Sequence, residues 1–555
     1  MSKRRKTLTG LRRLACDTMR VLIIKNLSNF FLFTLLVIIL LSGCSFQEPA
    51  ELVIINGAEP ESLDPAIVTG QPDIRAASAL FVGLTSPNPV TGLPEACLAE
   101  SWEVSPNAKT YTFHLRPGIL WSTGEPITAQ DFFYSWTRVL DPATASPYAS
   151  VLFPVLNAEE FNGGIIKDVS LLGLKILDSA TFQVQLRLPT AYFLDLCAMP
   201  TLAVVPSFAI QHSPDQWIRS ETLPVSGPYI LGKWLLNDRI RLKKNPLYWD
   251  AVHTRCSVVD LLPIGSSVTA MNLYYQGKVD LLWDKELIPA DLLDLMLERP
   301  DVHPFDYLGN YFVRINVTRS PFNEPKVRKA FSMAIDRNAL VNRVTRAGET
   351  PSSHFTPEFC ANYIPPDGPG YDPELARKLL AEAGYSNGEG FPPVTYLFNA
   401  AAGGSAKIHQ KVAVELQRMW KTQLNVTVNL RQAEWKAFLS MVNNLDYDLC
   451  RASWVGDYND ATTFLNLFTS HSGNNRTGWL SQEYDNLLSR SDRELDIEKR
   501  ALIMKEAETL LINEGLPIIP LYFYKGILCF DTNKIEGIYP NPIDRHPINY
   551  IGKKR

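Results

Sequence analysis

The N-terminus constrains this chain before anything else does. Residues 1–25 carry eight basic side chains (Lys3, Arg4, Arg5, Lys6, Arg12, Arg13, Arg20, Lys25) against one acid, Asp17. An uncharged run rich in Phe, Leu, Ile and Val follows from Leu27 to Leu41 and ends in Ser42-Gly43-Cys44. A basic region, an apolar stretch of about 7–15 residues and small residues at a cleavage point make a secretory signal peptide. A membrane span needs roughly 20 apolar residues, more than this run supplies. Residues 1–43 therefore read as a cleaved signal, and the 512 residues that remain must fold outside the cytoplasm. That length exceeds one ordinary core, so two or three domains are expected.

Small residues just before Cys44 resemble the lipobox of bacterial lipoproteins, which implies a lipid on Cys44 and an exported body anchored on the periplasmic side of the cell envelope. Without the signal, 46 basic residues stand against 57 acidic ones, a net charge of −11. Nucleic-acid binding depends on neutralising phosphate with Lys and Arg, so nucleic acid is excluded as a partner. Six cysteines remain after Cys16 and Cys44 (Cys97, Cys197, Cys256, Cys360, Cys450, Cys529). Export permits disulfides, and six cysteines allow fifteen full pairings. Buried free thiols suit the same positions equally well.

Motifs for catalysis or cofactors do not survive inspection. Gly227-Pro-Tyr-Ile-Leu-Gly232-Lys233 has the phosphate-loop spacing, but Trp234 replaces the hydroxyl that would hold magnesium, so a turn and a strand are expected. Gly388-Glu-Gly390 lacks a third glycine, and no GxSxG occurs. The eight histidines are scattered without zinc-ligand spacing. No catalytic residue, metal or cofactor is assigned, and the chain reads as a non-enzyme.

Short strands and helices alternate along the body, a mixed α/β class. Strands are expected at Glu51–Asn56, Tyr111–Leu115, Thr181–Leu188, Tyr311–Val317 and Asn425–Leu430. Thr128 is placed to cap a helix through Leu140, with Phe132, Phe133, Trp136, Val139 and Leu140 at helical spacing. Further helices are expected at Lys326–Val344, Pro373–Ala383, Ile408–Lys421 and Glu498–Asn513. Proline clusters at Ser86–Pro94, Pro357–Pro373 and Pro540–Pro547 read as loops.

Nine segments, in order, carry a family resemblance: Glu61-Ser-Leu-Asp-Pro65; Ala99-Glu-Ser-Trp102; Tyr111-Thr-Phe-His-Leu-Arg116 through Thr128-Ala-Gln-Asp-Phe132; Asp141-Pro-Ala-Thr-Ala-Ser-Pro-Tyr-Ala149; Asn245-Pro-Leu-Tyr-Trp249; Phe322-Asn-Glu-Pro-Lys-Val-Arg328; Lys378-Leu-Leu-Ala-Glu-Ala-Gly-Tyr385; Glu434-Trp-Lys-Ala-Phe-Leu439; and Arg451-Ala-Ser-Trp-Val-Gly-Asp-Tyr-Asn459. The chain thereby resembles the family 5 extracellular solute-binding proteins, the oligopeptide-binding proteins of ABC peptide importers. The resemblance implies an α/β fold of type II periplasmic-binding-protein kind, with two ligand-gripping lobes, mixed sheets, an extra domain and a hinge. Lobe I would be discontinuous (44–81, 206–307 and 509–555), with an extra domain at 82–205 and lobe III at 308–508. The implied partners are short peptides and an ABC permease of the cytoplasmic membrane, with the protein acting as a monomer.

The same resemblance assigns side chains. Asp457, in Trp454-Val-Gly-Asp457-Tyr-Asn459, matches the carboxylate that pairs with a peptide's α-ammonium, although Gly456-Asp457 also suits a plain turn. Arg451 and His409 match cationic positions around the peptide's carboxylate end. Tyr148, Trp435 and Trp454 match aromatic walls of side-chain pockets. Tyr311 and Phe312 would lie on the strand crossing between lobes, with no contact assigned. Three departures stand out. An acid of the family is Thr69, a ligand-region position, and an Arg is Val442. These leave murein peptides, dipeptides and nickel or haem complexes open as ligands, with an exported hydrolase as the rival class. A cysteine pair near the hinge falls at Gly309 and Val455, so no disulfide is expected there.

Overall fold

Eleven strands form one mixed sheet among the residues that the computed structural model describes, 48–554 apart from 215, 220, 221 and 400–404. From edge to edge it runs Val428–Ala433, Val394–Asn399, Leu449–Val455, Val302–Ile315, Ile518–Phe530, Leu281–Leu282, Leu52–Ile55, Val258–Leu262, Arg239–Lys244 and Tyr229–Leu235, with Thr350–Pro351 paired to Ile518–Phe530. Parallel pairing occurs in two separate places. Leu52–Ile55 pairs parallel with Val258–Leu262 and Leu281–Leu282, and Val394–Asn399 with Val428–Ala433 and Leu449–Val455. Parallel strands need crossover connections that cover both faces, and each group therefore carries its own apolar core. Leu52, Ile54, Val259, Leu261 and Leu281 belong to one, and Val394, Tyr396, Val428 and Leu449 to the other.

The two long antiparallel strands join these halves. Val302–Ile315 has 14 residues, about 46 Å at 3.3 Å per residue. Its first residues pack with Leu52 and Leu282, its last with Tyr396 and Leu449. Its pairing with Ile518–Phe530 slips between Asp306 and Asn310 and again between Tyr311 and Phe312. A slipped register bends and twists a strand pair, so the crossing is irregular where the two cores meet.

A separate four-stranded antiparallel sheet, in the order Ala99–Val104, Thr110–Leu115, Thr181–Gln185, Leu174–Asp178, packs against the helix Ala129–Leu140. Thr128 caps that helix as the sequence implies. The Asp131 carboxylate accepts the Thr128 backbone N–H at 2.8 Å in a capping box. Phe132, Trp136, Val139 and Leu140 are buried, and the Trp136 indole N–H donates to the Leu202 carbonyl.

Four expectations need correction. The helix expected over Lys326–Val344 is broken into Pro325–Met333 and Arg337–Leu340, followed by a wider turn, Val341–Thr345. Asp336 caps the second piece, and the buried Arg337 reaches back to Ser332 and across to the Pro520 carbonyl at 2.8 Å. The last helix ends as such at Thr509 and continues as a wider turn, Leu510–Gly515. The strand expected at Asn425–Leu430 is Val428–Ala433, because Asn425 adopts a left-handed φ of 56°. Ser86, Pro87 and Pro94 are not loop but belong to two short paired strands, Thr85–Pro87 and Pro94–Ala96.

Ala50–Arg555 forms one compact unit. Residues 1–43, expected to be a signal, and Cys44 lie outside the described residues. The six remaining cysteines are free and buried. Among the described residues no helix is long and apolar enough to cross a membrane, and no three His, Cys, Asp or Glu side chains are grouped to hold a metal.

Candidate functional site

The strand Leu449–Val455 carries the site's chemistry along its length and into the turn after it. Gly456 donates its N–H to the Leu308 carbonyl at 2.6 Å, and a Cβ there would sit 3.0 Å from the Thr463 methyl, so glycine lets the turn lie close. Asp457 follows, its N–H held by the Thr463 hydroxyl at 3.1 Å. Asp460 then anchors the turn. Its carboxylate takes both ends of the buried Arg500 guanidinium at 2.6 and 2.9 Å, together with the Thr462 backbone and hydroxyl.

That anchoring leaves the Asp457 carboxylate unengaged: among the described residues, only burial and the charge of Arg545 act appreciably on it. Burial raises its pKa to about 6, and Arg545 restrains the rise. Arg545 donates to the Ala198 carbonyl at 3.2 Å and to the Asp457 carbonyl at 3.4 Å, which pins the turn to the neighbouring segments. Tyr148 stands close enough for the Asp457 charge to add to the burial that raises its phenol. Asp457 and Tyr148 are thus brought together, beside an arginine that sequence reasoning missed.

Six residues back along the chain, Arg451 lies in a cavity of about 920 Å³ with His409 and Trp435. Its guanidinium rests 5.2 Å from the Tyr311 ring centre and donates to the Ser453 hydroxyl at 2.9 Å, while its Nε has no partner. His409 is 7% exposed with an unpartnered Nδ1. Burial, then the charges of Arg451 and Lys285, push its pKa down to about 3, so it is neutral in the empty cavity. Lys285, also missed, supplies the second positive charge and lies 4.6 Å from the Tyr524 ring centre in the same cavity. Trp435 is 46% exposed and stacks on Phe438.

Other expected residues sit elsewhere. Trp454 and Thr69 do not line this cavity; Trp454 is half-buried, its indole N–H unpartnered, and Thr69 is exposed. Val442 is fully buried beside Phe438, Tyr447 and Cys450. Tyr311 lines the cavity, whereas Phe312 points into a core with Phe355 and Phe468. Gly309 and Val455, the two positions that match a cysteine pair, face each other directly in the antiparallel register. Lys285 and Arg545 carried no periodic or motif signal, since each reaches the site from a distant part of the chain.

Asp457 and Tyr148 do not line this cavity; among the described residues the Asp457 carboxylate has no partner, and Arg451 and Lys285, which do line it, form no ion pair. The five residues between Arg451 and Asp457 put the two Cα atoms at most about 20 Å apart, the length of an extended chain of about six residues.

Comparison with known proteins agrees with this architecture. The profile of the bacterial extracellular solute-binding proteins, family 5 middle, matches residues 94–476. The periplasmic oligopeptide-binding protein OppA of Salmonella typhimurium is 37% identical over 495 residues, 87% of this chain and 89% of that one. The periplasmic murein peptide-binding protein MppA of Escherichia coli is 34% identical, over 87% of this chain and 89% of its own. Among solved structures, a periplasmic oligopeptide-binding protein from Borrelia burgdorferi superposes with a TM-score of 0.77 at 33% identity, covering 91% of this chain and all of that one. Haemophilus influenzae OppA, in complex with the peptide RPPGFSPFR, gives a TM-score of 0.74 at 32% identity, covering 92% of this chain and 100% of that one. Its mixed α/β fold is of the two-lobed type II kind that the sequence implied, and the chain belongs to the bacterial extracellular solute-binding proteins of family 5.

Proposed function

We propose that this protein captures short peptides outside the cytoplasmic membrane and delivers them to an ABC importer without chemical change. The observation that carries this reading is the Asp457 carboxylate: half-buried, its backbone anchored by its neighbours, and without a partner among the described residues. A peptide's α-ammonium would complete it. Arg451 and Lys285, with the N–H of neutral His409 beside them, would receive the carboxylate end. Tyr148, Trp435 and Trp454 would face side chains between, offering broad walls that tolerate varied residues. Lobe I is assigned to 44–81, 206–307 and 509–555, the extra domain to 82–205 and lobe III to 308–508. The separate apolar cores support that division.

Isothermal titration of the mature protein with tri- to pentapeptides tests the function. Saturable binding, with the peptide recovered intact after prolonged incubation, is expected. Turnover would point instead to an exported hydrolase. Binding of murein tripeptide alone would replace the general peptide with a specialised ligand, the second reading that Thr69 and Val442 leave open.

The pH dependence follows from Asp457. Its carboxylate must be ionised to hold an ammonium, and in the empty protein it takes up a proton at about 6. Affinity is expected to fall about tenfold per pH unit below that point and to level off above it. The same raised value means that the folded empty protein holds more protons than the unfolded chain between about pH 4 and 6. Stability of the ligand-free protein should accordingly decline as pH rises through that window, and Asp492, also raised by burial to about 6, acts in the same direction. An affinity that is flat from pH 4.5 to 7.5 would remove Asp457 from the site.

The proposed anchor is Cys44. Metabolic labelling with radioactive palmitate should mark the wild type and leave Cys44→Ser unlabelled; equal labelling of both would place the lipid elsewhere.

A further inference from the structure

Arg314 is a buried cation with no ion-pair partner among the described residues. It lies in the strand Val302–Ile315, 7% exposed, directly opposite Cys450. Side chains alternate across a strand, and Tyr311 and Val313 enter the core beside the large cavity while Phe312 enters the other. Arg314 therefore leaves the sheet on the face opposite Arg451, and its guanidinium lies 5.5 Å from the Phe312 ring centre.

That face holds donors without acceptors. Among the described residues, the Nε of Arg314 and the Nε of Arg476 are each buried with no hydrogen-bond partner. Among the described residues neither Arg314 nor Arg476 forms an ion pair, and no carboxylate ranks among the charges that act most on Arg314. Burial lowers its pKa, Cys450 and Tyr447 offset this in part, and the positive charges of Arg476 and Arg451 lower it further. A guanidinium does not escape by losing its proton, so its remedy is a counter-anion. Two guanidinium groups suit a carboxylate, which an arginine meets through two parallel hydrogen bonds.

We propose that Arg314 and Arg476 form an anion subsite that takes a carboxylate. Two sources fit that chemistry: an acidic side chain of a bound peptide, which rests on the peptide reading above, and a free organic acid from solution, which does not.

Titration of the mature protein with tetrapeptides that differ only in Glu, Gln or Lys at each inner position separates the sources, alongside thermal melts of the ligand-free protein in sodium glutarate against sodium chloride of equal ionic strength. If the carboxylate comes from the ligand, one Glu peptide binds about tenfold or more tighter than its Gln twin. That preference vanishes in Arg314→Met, while the Gln peptide binds as before. If it comes from solution, Glu and Gln peptides bind alike, and glutarate raises the melting temperature of the wild type but not of Arg314→Met. Arg314→Met removes an uncompensated buried charge at similar volume, so its ligand-free melting temperature should rise. Arg476→Gln provides the same two readouts should that variant fail to fold. Equal binding of all three peptides together with no glutarate effect would overturn the subsite. Failure of every peptide to bind would sink the peptide reading instead, and the glutarate melt would still decide whether the subsite exists.

Discussion

Asp457→Asn is expected to weaken capture of a free-amino tripeptide by about 10²- to 10³-fold while leaving the fold intact. Removing one partner of a buried, hydrogen-bonded charge pair costs about 2–5 kcal/mol, because the other charge is left uncompensated, and each 1.4 kcal/mol is tenfold in affinity. The side chain's freedom from partners makes the substitution clean: no hydrogen bond among the described residues depends on that carboxylate, and the turn is held by the backbone N–H of residue 457, by Asp460 and by Arg545. An N-acetylated peptide supplies the control. It should bind the wild type as poorly as the free-amino peptide binds the variant, and the variant should not distinguish the two. An equal loss for both peptides on substitution would mean that Asp457 acts on the fold and not on the ammonium.

Arg500→Met is expected to cost about 3–5 kcal/mol of stability, read from urea unfolding, because it strands the Asp460 carboxylate in a buried position. The pair is bidentate, with both carboxylate oxygens engaged at 2.6 and 2.9 Å. Burial pushes the Asp460 carboxyl up, yet the hydrogen bonds and charge of Arg500 outweigh that and leave it below its ordinary value. A lowered carboxyl stabilises the folded state at neutral pH, and the contribution fades as pH falls through the folded value. The difference between wild type and variant should therefore shrink in acid. Since Asp460 fixes the turn that presents Asp457, peptide affinity should fall as well. Arg500→Lys should recover only part of both, for an ammonium does not reproduce the planar fork. Unchanged stability in Arg500→Met would mean that the turn is held by other contacts.

Much of this protein was legible in the sequence, and the illegible parts share a cause. Thr128 and Asp131 form a local capping box, so the helix start was readable from four adjacent residues. The matched positions Gly309 and Val455 prove to be cross-strand neighbours, a long-range contact that only the family resemblance pointed to. Periodicity failed where a tertiary contact decided the outcome. The apolar pattern continues through Ile335, but Arg337 bonds to Pro520 and the helix breaks there. Site residues followed the same rule. Arg451 and His409 were placed as positions matched to the family and do share a cavity, whereas Lys285 and Arg545 arrive from remote segments. The protonation of His409 depends on burial and two neighbouring cations, none of which the sequence displays. Arg314 is the extreme case, since a missing partner leaves no trace in a sequence.

Native mass spectrometry of the mature protein, purified gently from a peptide-rich host, tests the central claim most directly. Capture of short peptides predicts a ladder of adducts at tri- to pentapeptide masses that disappears in Asp457→Asn. A clean unliganded mass that does not shift when such peptides are added in excess would contradict it.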